Sequence, residues 1–194
     1  MANATTDRVG QELLLDVWQQ HCYSEFVMKD AKAALTTMSD NPYVLMVPVA
    51  IGGRGRDGVY KFYHDCFLAQ LPADIRPVPI SQVVGEDILA EEVVYQFTHD
   101  RIMDWMIPGL PPTGKRVEVG VVGIIKFENG KIASEHLYWD HASVLAQLGV
   151  IDRAKGLVRG VESPRTLLEW AGIKVGSQGQ ESRNLPSFER LTQH

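Results

Sequence analysis

Four runs rich in β-branched and aromatic residues follow one another through the middle of the chain: Ile75 to Val84, Ile88 to His99, Val117 to Phe127 and Lys131 to Trp139. The first two are separated only by Gly85-Glu86-Asp87 and the last two only by Glu128-Asn129-Gly130. Links of that length cannot hold a crossover helix and suit antiparallel hairpins, so a mostly antiparallel sheet is expected. Ahead of these runs the spacing is helical. Leu13, Leu14, Val17, Trp18, His21 and Phe26 form one apolar stripe behind a cap at Thr6 or Asp7. Asp30 caps a short helix from Ala31 to Met38, Asp40-Asn41-Pro42 stops it, and a strand from Tyr43 to Ile51 follows. A third helical pattern covers Val59 to Ala69. Helices gathered before such a sheet must bury their stripes on one of its faces, which predicts α+β architecture rather than a doubly wound parallel sheet.

Met103 to Arg116, rich in Pro and Gly, reads as the one long loop. From about Val150 a tail begins in which Ser163 to Gly172 looks helical and Lys174 to Asn184 is polar and expected to be mobile. The expected division is therefore residues 1–151 as the folded domain and 152–194 as its tail. A length of 194 residues fits one domain with an appendage.

Composition narrows the partners. Nineteen Lys and Arg against 24 Asp and Glu give a net charge of −5, which offers no general grip on phosphate backbones, so no nucleic-acid partner is expected. No run approaches the roughly 20 apolar residues that cross a bilayer, and the N-terminus lacks the pattern of a secretory signal. The expectation is a cytoplasmic protein that does not engage membranes. Cys22 and Cys66 are too few for a disulfide framework or a zinc site and read as reduced thiols.

Several local motifs fail on context. Gly53, Gly55 and Gly58 spell GxGxxG, but Pro77 and Pro79 interrupt the next segment and no further βαβ unit follows. Gly109 to Lys115 imitates a phosphate loop, yet Arg116 replaces the magnesium-binding hydroxyl and a strand-like run follows instead of a helix. His136 and His141 flank a strand end and would not converge on one ion. No G-x-S-x-G elbow is present. Neither a metal nor a cofactor is expected.

The remaining signal is polar residues set into apolar β sequence: Gln96, Thr98 and His99, then His136, Tyr138 and Asp140. Strand alternation puts Ser134, His136, Tyr138 and Asp140 on one face and Ala133, Glu135, Leu137 and Trp139 on the other. Alternation does not say whether the polar face is solvated or lines a cavity.

The run Asp104-Trp105-Met106-Ile107-Pro108-Gly109-Leu110-Pro111-Pro112-Thr113-Gly114-Lys115, then Gly130-Lys131-Ile132, Trp139-Asp140 and Gln147-Leu148-Gly149, resembles the SnoaL-like polyketide cyclases of the nuclear transport factor 2-like superfamily. The resemblance spans Glu12 to Ile151 and includes Asp40-Asn41-Pro42-Tyr43. It implies a cone-shaped, strongly curved, mostly antiparallel sheet covered by the N-terminal helices, with a deep apolar pocket and a homodimer through the outer sheet face. It also implies Asp140 as a general acid/base pointing inward; strand parity then brings His136 and Tyr138 inward beside it, and His99, near the end of its strand, is the second catalytic candidate. Trp18, Tyr63, Asp104 and Trp105 join them as substrate-binding candidates. A histidine that some members carry on the strand Val117 to Phe127 is missing here.

The function expected on this basis is cofactor-independent acid/base catalysis of the cyclase, isomerase or dehydratase type on a small apolar carbonyl or ring compound. The alternative is a noncatalytic or accessory protein that holds a hydrophobic ligand in the same pocket. With Asp140 inward, Leu137 and Trp139 would face outward and seek a second copy of the chain.

Overall fold

The structure is a computed structural model that describes residues 2–156 and 158–174. Helix α1 covers Ala2–Tyr23 and widens into a π-helical turn over Ser24–Met28. It begins earlier than a cap at Thr6 or Asp7 would allow. Asp30 does cap α2 (Ala31–Thr36), accepting from the N–H groups of Lys32 and Ala33. Helix α3 covers Gly55–Lys61 and also passes into a π-helical turn, Phe62–Phe67.

The strands are β1 (Met38–Met46), β2 (Ile51–Arg54), β3 (Arg76–Val84), β4 (Ile88–Thr98), β5 (Arg116–Glu128) and β6 (Lys131–Trp139). They form one curved, unclosed six-stranded sheet in the order β2-β1-β6-β5-β4-β3. All neighbours are antiparallel except β1 and β6, which run parallel. Helix α4 (His141–Leu148) follows β6, and α5 (Ser163–Trp170) lies in the tail.

The run Tyr43 to Ile51 is two strands instead of one. A turn at Val47–Val49 lets β2 fold back on β1, pairing Val44 with Gly53 and Met46 with Ile51. The glycine motif serves that fold-back. A Cβ on Gly52 would lie 1.9 Å from the carbonyl oxygen of Val44, and one on Gly53 would lie 2.3 Å from that of Gly58. These glycines permit close backbone packing among β1, β2 and α3.

The core lies between the helices and the inner sheet face, where Leu89, Phe97, Val117, Ile125 and Ile132 are fully buried. Part of the outer face is covered by α5: Leu168 packs on Val78 and Val94, and Arg165 pairs with Glu118 at 3.0 Å. Residues 175–184 of the expected mobile segment lie outside the described residues. Among the described residues, no helix is long and apolar enough to cross a membrane.

Candidate functional site

A β-bulge decides what faces the interior. Lys126 of β5 pairs with Ser134 of β6, but Phe127 pairs with Ile132, so Ala133 is an extra residue without a partner. Beyond it the alternation is reset. Ile132 points into the core, and so do Glu135, Leu137 and Trp139; the last three line a cavity between helices and sheet. His136 and Tyr138 are thereby turned to the outer face, where His136 Nε2 lies 3.1 Å from the Tyr43 hydroxyl and Tyr138 is exposed. The two groupings expected from alternation hold over 135–139, but the inward face is the opposite of the one an inward Asp140 implies, which removes Leu137 and Trp139 from any outer contact surface.

The space open to the centre of a water molecule inside this cavity is about 40 Å3. Glu25, Glu135 and Tyr63 line its wall, and His21 stands directly behind them with no exposure to solvent. Four elements converge here. His21 comes from the last turn of α1, Glu25 from the π-helical turn after it, Tyr63 from the π-helical turn after α3, and Glu135 from β6 just past the bulge. π-Helical turns re-aim side chains off a helix face and are frequent at functional sites.

His21 Nδ1 lies 3.2 Å from the Ala34 carbonyl, which only accepts, so Nδ1 carries a hydrogen that is shared with Thr37 Oγ1 at 2.6 Å. Nε2 lies 3.1 Å from Glu135 Oε1 and 3.2 Å from Glu25 Oε1, and it too must donate. The ring is an imidazolium. Burial alone would drive the His21 proton off, but the charges of Glu135 and Glu25 outweigh it and raise the pKa to about 10. Tyr63 donates its O–H to Glu135 Oε1 at 3.0 Å. Burial pushes the Glu25 carboxyl above its ordinary range, with His21 opposing and Glu135 adding to the shift.

The donor atoms of His21, Glu25 and Glu135 lie within 4.8 Å of one another, a spacing that admits a metal ion. The Nε2 contacts of 3.1 and 3.2 Å are hydrogen-bond distances that a proton on that nitrogen fills. A third carboxylate, Glu91 of β4, lines the same cavity; Trp18 Nε1 donates to it at 2.9 Å, and burial raises its pKa.

The remaining sequence candidates divide. Trp18, Tyr63 and Trp105 are brought to the cavity wall. Asp104 holds the loop that presents Trp105, accepting from the Gly109 N–H at 2.9 Å while its own N–H donates to Gln70 Oε1 at 2.7 Å. His99 is buried at the end of β4 and ties down the returning loop, accepting the Thr113 N–H on Nδ1 at 3.3 Å and, on its backbone oxygen, the Gly114 N–H at 2.9 Å. Burial lowers its pKa. Asp140 lies outside the cavity and caps α4, accepting from the Ser143 N–H at 3.1 Å and from the Ser143 hydroxyl.

Glu25, Glu91, Glu135 and the pairing role of His21 were not singled out in the sequence. A signal for them exists. Glu91 shares its parity on β4 with Leu89, Val93, Tyr95 and Phe97, and a lone carboxylate in an otherwise apolar alternation is the mark of a buried charge. His21 and Glu25 stand four apart, the spacing of helix neighbours.

The sequence profile of the SnoaL-like polyketide cyclases matches residues 19–148. No curated protein matches the chain. Among solved structures, one assigned as a SnoaL-like polyketide cyclase from Jannaschia sp. CCS1 aligns with TM-score 0.60 and 13% identity over 73% of this chain and 94% of that one. TsrD from Streptomyces laurentii aligns with TM-score 0.55 and 19% identity over 75% and 98%. An NTF2-like protein of unknown function from Burkholderia pseudomallei aligns with TM-score 0.54 and 14% identity over 70% and 97%. At these identities the likeness is one of fold.

Proposed function

Because the chain belongs to the SnoaL-like polyketide cyclase family, we propose that it is a proton-transfer enzyme working without a cofactor on a compact carbonyl or ring compound. The observation that carries this reading is the pair of carboxylates, Glu25 and Glu135, set into the wall of a narrow cavity against one buried imidazolium. Glu135 is the base. His21 and Tyr63 both bind its Oε1, which leaves Oε2 to take a proton from the carbon beside the carbonyl. The C–H bond breaks, an O–H bond forms on Glu135, and the electron pair moves to the carbonyl oxygen to give an enolate.

Glu25 gives a proton to the enolate, and the proton held on Glu135 then passes to Glu25, which restores both carboxyls. Burial raises the Glu25 pKa, with the His21 charge opposing, which favours its protonated form relative to that of an exposed carboxyl. His21 touches neither the cavity nor the substrate, so it is a positioning residue that holds both carboxylates and offsets their charge. The geometry favours Glu135 over Asp140 as the base, because Asp140 spends both oxygens on Ser143.

The test is α-proton exchange. Small cyclic ketones, both neutral and amine-bearing, incubated with the protein in D2O are followed by proton NMR; wild type should accelerate deuterium uptake for at least one of them. Glu135→Gln, which keeps shape and removes basicity, should lower that rate by about 100-fold or more. Wild type inert toward the whole panel, or a fully active Glu135→Gln protein, would contradict the assignment. A protein that binds ketones without exchanging them would fit the noncatalytic alternative.

A further inference from the structure

The cavity collects acidic groups. Glu25, Glu91 and Glu135 line it, no Lys or Arg does, and the compensating imidazolium of His21 stands behind the wall. Much of the remaining lining is aromatic: Trp18, Tyr63, Phe67, Tyr95, Trp105 and Trp139. Aromatic faces attract cations and gain strength when water is excluded. Acidic and aromatic groups therefore favour the same kind of occupant.

A second observation is independent of the first. Trp105 is 1% exposed and its Nε1–H has no acceptor, whereas the Trp18 indole in the same wall is committed to Glu91. Buried donors are nearly always paired, so an unpaired donor on a residue of the cavity wall is one that an oxygen on a bound molecule could satisfy. The loop that carries Trp105 is held in place by the Asp104 and Gln70 hydrogen bonds, so the donor is fixed before a ligand arrives.

From these features we infer that the ligand of this cavity is a compact organic cation, a protonated or quaternary amine, that also carries an acceptor oxygen for Trp105. A neutral hydrocarbon leaves Glu25 and Glu91 shifted toward their protonated forms by burial, whereas a cation in the cavity would favour their charged forms. A bare metal ion leaves the aromatic wall and the Trp105 N–H without contacts. An amine with a carbonyl or hydroxyl oxygen meets all of these groups. The inference rests on the reading of the cavity as a ligand site and narrows its substrate class to molecules with a cationic nitrogen.

The probes are choline and 3,3-dimethylbutan-1-ol, its uncharged carbon isostere, each titrated into the full chain by calorimetry. Choline is expected to bind at least about tenfold more tightly, the scale of a desolvated cation–π contact. Glu91→Gln, which keeps an acceptor for Trp18 and removes a charge, should shrink the preference to within about threefold. Trp105→Phe should weaken both probes, because both carry the hydroxyl. Equal or tighter binding of the neutral probe, no binding of either, or full preference retained in Glu91→Gln would overturn the inference. If Glu91→Gln does not fold, the two wild-type titrations decide. Choline preference without ketone exchange would end the proton-transfer reading and leave this one standing.

Discussion

Asp140 and Glu135 stand five residues apart on one stretch of chain and meet opposite surroundings. Asp140 sits at the first turn of α4, where its oxygens take a backbone N–H that the helix leaves free. Asp140→Ala should therefore cost about 1 kcal/mol in urea denaturation, the usual worth of a cap, and leave the cavity unchanged. Glu135 is held inside, and its partner His21 titrates accordingly. In the unfolded chain that imidazole releases its proton near 6.5, whereas the native chain keeps it to about 10. Between those values the native state binds the extra proton, so stability is fully present below pH 6.5 and declines as pH rises toward 10. The raised carboxyl of Glu25 acts with the same sign at lower pH. Urea midpoints measured from pH 6.5 to 10 should fall for wild type and flatten for His21→Gln; a wild-type midpoint that rises across this range would contradict the pairing.

At the scale of elements, hydrophobic alternation and short links made the hairpins of β3 with β4 and of β5 with β6 legible, because both signals are local. The helix before the sheet was legible for the same reason. What alternation cannot carry is an interruption of itself. The extra residue Ala133 leaves no mark in composition, yet it exchanges the faces of every later residue on β6. The same limit hid the two π-helical turns, which have no residue signature and which present Glu25 and Tyr63. Deleting Ala133 should thus do more than shorten a strand: either Ile132 or Glu135 must leave the interior. Turning Glu135 outward strips His21 of a partner, and breaking a buried pair in this way costs about 3–5 kcal/mol. A deletion variant with wild-type thermal stability would show that the bulge does not set the register.

At the scale of the molecule, the family resemblance anticipated the α+β fold and the curved sheet, since these depend on the order of elements along the chain. Which side chains meet at the cavity wall depends instead on packing across the core between the helices and β6, which no ordered motif carries. The tail contributes as well: α5 covers Val78 and Val94 on the outer face with its own Leu168, so a homodimer through that face would have to use the part nearer Tyr43, Val122 and Tyr138, which stays exposed. The central claim is that the chemistry belongs to the buried carboxylates facing the cavity. It is tested most directly by running Glu135→Gln and Asp140→Asn side by side in the deuterium-exchange assay, on folded protein at one pH. The account predicts exchange reduced by about 100-fold or more in Glu135→Gln and retained within a few-fold in Asp140→Asn; exchange lost in Asp140→Asn and kept in Glu135→Gln would contradict it.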